Sequence, residues 1–183
     1  MNSIIEELKG AKTVAITGHV RPDGDCTGAT LGLYNYLREN MPELAVDIYL
    51  ESVEPRFEFL SKSEEVRKAA DRNIEYDVFV ILDCGDLGRV ATFTQDLIKN
   101  AKKTVCIDHH LSSGDFADVN HVFPKISSAC EVLYDLLDEE LISKNVAECL
   151  YVGMIHDTGV FKYQSVTSRT MEIAGRLMDK GIN

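Results

Sequence analysis

Basic residues are scarce in this chain: 19 Lys and Arg stand against 30 Asp and Glu, a formal net charge of −11. Binding a long nucleic acid needs Lys and Arg to neutralise phosphates, so a polymeric polyanion fits this surface poorly unless the acidic groups hold cations. Two divalent ions would move the formal total from −11 to about −7. Long apolar runs are also missing. No stretch approaches the roughly 18 apolar residues that cross a bilayer, which argues against a membrane protein. The opening MNSIIEELKG has neither the basic n-region nor the apolar core of a secretory signal and reads as a short amphipathic helix. Cysteine is too sparse and ill-spaced for a framework: there are five, an odd number, with no C-x-x-C pair. That weighs against a disulfide scaffold or a zinc ribbon and fits a reducing cytoplasm. Most of these cysteines lie in apolar patterns and read as small buried hydrophobes. No repeat, low-complexity tract or Pro/Gly/Ser-rich linker divides the 183 residues, enough for one domain with its own core.

What the chain does have is alternation. TVAIT (13–17), residues 45–50, VFVIL (78–82) and TVCI (104–107) read as strands; VFVIL is a continuous apolar, β-branched run of the kind that is covered on both faces. Between and after them, residues 27–38, 92–99, 128–137, 145–156 and 167–180 read as helices, the last capped by Thr167 or Ser168. Residues 57–60 and 64–70 read as short helical pieces. Strands alternating with helices predict an α/β fold with a parallel sheet of about five strands flanked by helices. In such sheets ligands bind beyond the carboxyl ends of the strands, near the switch in strand order.

The strand ends carry titratable groups. TVAIT runs into GHVRPDGDCTGAT, which supplies His19, Asp23 and Asp25. Gly24 between the two acids is read as permitting an unusual backbone angle that turns both carboxylates to one point. VFVIL runs into DCGDLGR with Asp83 at its head, and TVCI into Asp108, His109 and His110. GMIHDTGVF places Asp157 where a helix yields to a Gly-containing turn. Taken singly, D-C-G-D is a turn, Asp-His-His a polar loop and HDTG a helix exit. Together, in one chain order and at the edge where such a sheet binds ligands, they point to a cation site. Carboxylate and imidazole donors without thiolate favour Mn²⁺ or Mg²⁺, and Asp83, alone after a central strand, suits a bridge between two ions. Arg89 reads equally as a phosphate ligand and as a solvated loop residue. Ser127 and Ser128, at a helix start, read as caps of that helix or, secondarily, as an anion site. His156 reads as a packed or supporting histidine, and His121 as a loop residue.

These motifs (GHVRPDGDCTGA, LDCGD, DHH and GMIHDTGVF, spanning roughly residues 14–180) resemble the DHH phosphoesterase superfamily, which includes RecJ-type exonucleases. ISSACEVLYDLL (126–137) and residues 156–183 are similar to its branch of bifunctional oligoribonucleases and 3′-phosphoadenosine-5′-phosphate phosphatases. The resemblance implies two Mn²⁺ ions, with Mg²⁺ as a substitute. His19 and Asp23 would hold one, Asp25, His109 and Asp157 the other, and Asp83 would bridge. His110 would face the substrate phosphate and Asp108 would fix an imidazole. Arg89 and Ser128 are weaker substrate-binding candidates. The implied substrate is a short oligonucleotide or small nucleotide, cut by two-metal hydrolysis. The alternatives are a manganese-dependent inorganic pyrophosphatase and a nucleotide-binding module with little turnover. Members of the branch carry a C-terminal substrate-binding domain with a GGGH-type motif, which these 183 residues lack. The expectation is therefore a single catalytic domain, from a longer form or naturally short, and a homodimer is possible.

Overall fold

The computed structural model describes residues 3–70 and 74–183. Five strands form one all-parallel sheet in the order β2-β1-β3-β4-β5: β1 Thr13–Thr17, β2 Ala45–Tyr49, β3 Val78–Leu82, β4 Thr104–Asp108 and β5 Val119–Val122. Among the described residues six helices accompany it: α1 Ile4–Glu7, α2 Gly24–Asn40, α3 Thr92–Lys99, α4 Ala129–Leu136, α5 Lys144–Asp157 and α6 Ser168–Asp179. Every residue of β3 is buried, because period-2 alternation sends its side chains into two separate cores. Val14, Ile16, Val80 and Leu82 join α1, α2, α4, α5 and α6 on one face. Ala15, Phe79 and Ile81 join Tyr49, Tyr76 and the α3 residues Phe93 and Ile98 on the other. Burying both faces is what makes a parallel sheet stable.

The fifth strand escapes the sequence pattern. Val119–Val122 is four residues long, mixes polar with apolar side chains and is only partly buried, as an edge strand allows. It follows β4 through a loop with no helix. His121, read as a loop residue, lies on this strand, 91% buried and 3.4 Å from Glu7. The helical reading of 64–70 is also corrected. Between residues 55 and 70 the helical structure is limited to single 3₁₀ turns at Pro55–Phe57 and Ser63–Glu65. The Arg67 backbone instead bonds Ile48 and Leu50 beside β2, because an exposed strand edge offers unpaired N–H and C=O groups.

Helices α2 and α5 approach closely. A Cβ on Gly28 would run into the Cys149 carbonyl and the Gly153 backbone. Missing side chains here let the two axes draw together, and the α2 N-terminus meets the α5 C-terminus above the sheet. The order 2-1-3-4-5 reverses direction between β1 and β3, so the crevice lies beyond their carboxyl ends.

Candidate metal centre

The three central strands deliver the site from below. His19 lies two residues past β1, Asp83 one residue past β3, and Asp108 is the last residue of β4, with His109 and His110 beyond it. Two cross-links tie the first two loops: Val20 N–H donates to the Arg89 carbonyl (2.6 Å), and His19 pairs with Val90 in an isolated bridge. Asp83 is buried and its φ is +51°, a left-handed backbone that Asp tolerates better than most residues. The chain thus turns sharply as it leaves β3, and the carboxylate stands at the centre.

The Asp83 oxygens face opposite ways. Oδ2 lies 3.4 Å from His19 Nε2, whereas Oδ1 lies 3.7 Å from His109 Nε2 and 3.6 Å from His110 Nδ1. On the first side Asp23 Oδ1 is 3.8 Å from His19 Nε2. On the second, His109 Nε2 is 3.0 Å from Asp157 Oδ2 and 3.7 Å from Asp25 Oδ2. Four carboxylates and two imidazoles converge from β1, β3, β4, α2 and α5.

Helix ends hold these carboxylates. Asp23 caps α2, its Oδ1 accepting from Asp25 N–H and Cys26 N–H. Asp25 is fully buried; its two oxygens accept from Ala129 N–H (2.6 Å) and Cys130 N–H (3.0 Å) in the first turn of α4. An anion does sit at the α4 N-terminus, as the serines there suggested, and it is the protein's own Asp25. Ser128 is fully buried and its hydroxyl accepts from Glu131 N–H, capping α4. With no exposed surface it meets no solute, so it is left out of any substrate-binding role. Asp157 ends α5, where the negative end of the helix dipole favours a cation.

Gly24 does something other than the sequence reading proposed. It sits in the first turn of α2 with no positive φ. Its missing side chain makes room for His156: a Cβ there would lie 2.6 Å from the His156 ring.

The charges press on one another. Burial, aided by Asp83 and Asp157, raises the Asp25 pKa well above the carboxylate range, and burial likewise raises that of Asp83. Burial opposes charge on His109, but Asp157 and Asp25 outweigh it and lift its pKa to about 9. The same contest, won by Asp23 and Asp83, raises His19 strongly. Divalent cations would relieve this repulsion, and the hydrogen bonding fits them. His19 Nδ1 lies 2.8 Å from the Val20 carbonyl, so that nitrogen carries the proton and Nε2 faces the carboxylates. Asp83 Oδ1 and His109 Nε2 are buried with no hydrogen-bond partner. Orphaned donor atoms at these separations are what a cation would satisfy.

Asp108 is fully buried at the end of β4 and is satisfied by His110 Nδ1 (2.8 Å) and the Ser113 hydroxyl. Burial opposes its charge, but those two donors outweigh burial and keep the Asp108 pKa below the ordinary value; Asp108 in turn raises His110. The His110 ring is therefore fixed through Nδ1, with Nε2 left over. Arg89 is exposed on the turn Leu87–Arg89, its backbone fastening the loop.

Four participants were not foreseen. Ser113 lies in a loop of Ser and Gly with no motif of its own. The Ala129 and Cys130 amides are backbone groups, visible only through the helix start they occupy. Cys26 is buried, and its thiol lies within 4.8 Å of ligand atoms of His19 and Asp83; the donor set was expected to lack sulfur, and the burial that raises its pKa to about 12 keeps it a neutral thiol in the metal-free protein.

Comparison with known proteins gives the family. The model of the DHH family, N-terminal domain, matches residues 13–154. The chain belongs to the DHH family. It is 30% identical over 180 residues to the bifunctional oligoribonuclease and PAP phosphatase NrnA of Bacillus subtilis, covering 96% of this chain and 55% of that protein. The probable NrnA of Streptococcus mutans is 29% identical over 178 residues, with the same coverage. The crystal structure of an exopolyphosphatase-related protein from Bacteroides fragilis superposes with a TM-score of 0.87 at 30% identity, covering 98% of this chain and 56% of that one. A Methanococcus jannaschii putative family II inorganic pyrophosphatase shares the fold, with a TM-score of 0.60 at 21% identity. This DHH chain spans about half the length of the curated relatives it matches. Among the described residues no helix is long and apolar enough to cross a membrane.

Proposed function

We propose that this DHH domain hydrolyses phosphoester bonds of short oligonucleotides or small nucleotides at a centre of two divalent cations, Mn²⁺ or Mg²⁺. One observation carries the reading: the two oxygens of the buried Asp83 carboxylate face separate imidazoles, His19 on one side and His109 on the other. His19 and Asp23 would hold one ion; Asp25, His109 and Asp157 the other; Asp83 both. So held, two divalent cations supply a water of lowered pKa and neutralise charge on the phosphoryl oxygens.

The chain's own groups do the rest. Because Asp108 keeps the proton on His110 Nδ1, only the imidazolium has an N–H at Nε2. Asp108 favours that form, so His110 donates to a phosphoryl oxygen whose charge grows as the bond breaks. Arg89, exposed on a loop whose backbone bonds the loop after β1, would supply a guanidinium for a second phosphate. The net charge of −11 favours a small substrate over a long strand. In a longer form, a C-terminal domain would supply the rest of the substrate grip, and a homodimer remains part of the proposal.

The test is a substrate panel with Mn²⁺: the dinucleotide pApA, a short RNA, 3′-phosphoadenosine-5′-phosphate, cyclic-di-AMP and pyrophosphate. Hydrolysis of the dinucleotide or the bisphosphate, lost with chelator and in Asp83→Asn, supports the proposal. Faster turnover of pyrophosphate than of any nucleotide replaces it with a pyrophosphatase. Tight nucleotide binding without product replaces it with a binding module.

A further inference from the structure

Beside the two-ion centre a third group of donors is left over. One ligand atom from each of Asp23, His156 and Asp157 lies within 4.8 Å of the others. Asp157 Oδ1 and His156 Nδ1 are not spent in the pairings above. Asp157 turns Oδ2 toward His109 at 3.0 Å and Oδ1 toward His156 Nδ1 at 3.9 Å. The second distance is too long for a hydrogen bond and suits two donors around one ion. His156 Nδ1 is shielded from solvent and has no hydrogen-bond partner. A buried imidazole nitrogen is rarely left unsatisfied without a reason.

The ring is held in place. The bare Cα of Gly24 lies against one side of it, and Phe57 packs edge-on at 6.0 Å between ring centroids. The backbone fixes it as well, since His156 and Asp157 are the last two residues of α5, at the negative end of that helix. The Asp23, His156 and Asp157 side chains are 38%, 31% and 24% exposed, so an ion here keeps part of its water shell, as Mg²⁺ and Mn²⁺ usually do.

We propose that Asp23, His156 and Asp157 form a third divalent-cation site, filled together with a phosphate group. The proposal rests on the two-ion reading and adds to it. Asp23, Asp25, Asp83 and Asp157 bring four negative charges, which two divalent ions already neutralise. A third ion therefore lacks a counter-charge until an anion arrives. An incoming phosphate supplies one, and the third ion then binds the oxygens that face away from the first two. The expected ligand is a terminal or bridging phosphate of a small nucleotide, whose charge is largest per unit size.

The experiment counts bound Mn²⁺ per chain from the electron paramagnetic resonance signal of the free ion, with and without inorganic phosphate. Wild type should bind two ions without phosphate and three with it. His156→Ala and His156→Asn should bind two in both conditions, the third affinity falling roughly tenfold or more. Circular dichroism confirms that each variant is folded, and either variant suffices if the other is not. A count of two in wild type with phosphate, or of three in both variants, overturns the third site and leaves the two-ion centre standing. A fall from two to one in the variants also overturns it, by making His156 a ligand of the main centre. Wild type that binds no Mn²⁺ overturns both.

Discussion

Replacing Asp83 with Asn separates the charge of the bridging carboxylate from its shape. Asn is nearly isosteric and, like Asp, tolerates the left-handed φ of +51° at this position, so backbone strain is not part of the effect; Ala would add about 1–2 kcal/mol of it. Without metal the variant should melt close to wild type or slightly higher. Burial disfavours the Asp83 charge, as its raised pKa records, and Asn removes that charge from beside Asp23. With metal the order reverses. An ion present at a hundred times its dissociation constant stabilises the fold by about 2.7 kcal/mol, so two ions give about 5 kcal/mol. For a chain of this size that raises Tm by about 10–20 °C. Because Asp83 faces both His19 and His109, Asp83→Asn should abolish most of the Mn²⁺-induced rise. His19→Ala, which touches one side only, should keep about half. Differential scanning fluorimetry across a Mn²⁺ titration measures all three proteins. If Asp83→Asn keeps more than half of the wild-type rise, Asp83 is not a shared ligand and the reasoning is wrong.

Other outcomes follow from the same geometry. Ser113→Ala removes one of the two donors to Asp108; kcat should fall about tenfold with KM little changed, and Ser113→Thr should restore it, whereas a fall in KM alone would place Ser113 elsewhere. Ser128→Ala removes the α4 cap and should cost about 1 kcal/mol in urea unfolding; it should also weaken Mn²⁺ binding, because the N–H groups that hold Asp25 shift, and unchanged affinity would argue against that coupling. Gly28→Ala should destabilise by about 1–3 kcal/mol, since its Cβ meets the backbone of α5 and no side chain can move aside. In chelator, Tm should fall as pH rises from about 6.5 to 9. The His109 pKa is raised to about 9 in the fold, so its contribution is full below the unfolded value of about 6.5 and is lost as pH passes the folded one. With Mn²⁺ the trend should reverse, because ion and proton compete for the same nitrogen.

The acidic and imidazole positions were legible because strand ends are legible. Val78–Leu82 is continuously apolar, so Asp83 stands out as the residue that breaks the run. His19 and Asp108–His110 follow β1 and β4 in the same way. The network of contacts around them was less so, in proportion to how far it depends on backbone. Asp25 is held by amides more than a hundred residues away, and amides carry no sequence signature beyond the helix start that exposes them. Gly24 shows the opposite error. Read locally, a Gly between two acids is a hinge; in the fold it is a space that His156 fills. Edge strand β5 was invisible because half-buried residues at an edge are under little compositional pressure.

By itself the sequence determined the α/β class, the parallel sheet and the identity of the carboxylates and imidazoles, since hydrophobic period and residue chemistry are local properties. Only the tertiary structure decided which donors share a neighbour, that Asp83 faces two ways, that α4 points its amides at Asp25, and that His156 ends beside Asp23 and Asp157. Those relations depend on how close α2 and α5 pack and on where five separate chain segments end in space, and no window of sequence contains them.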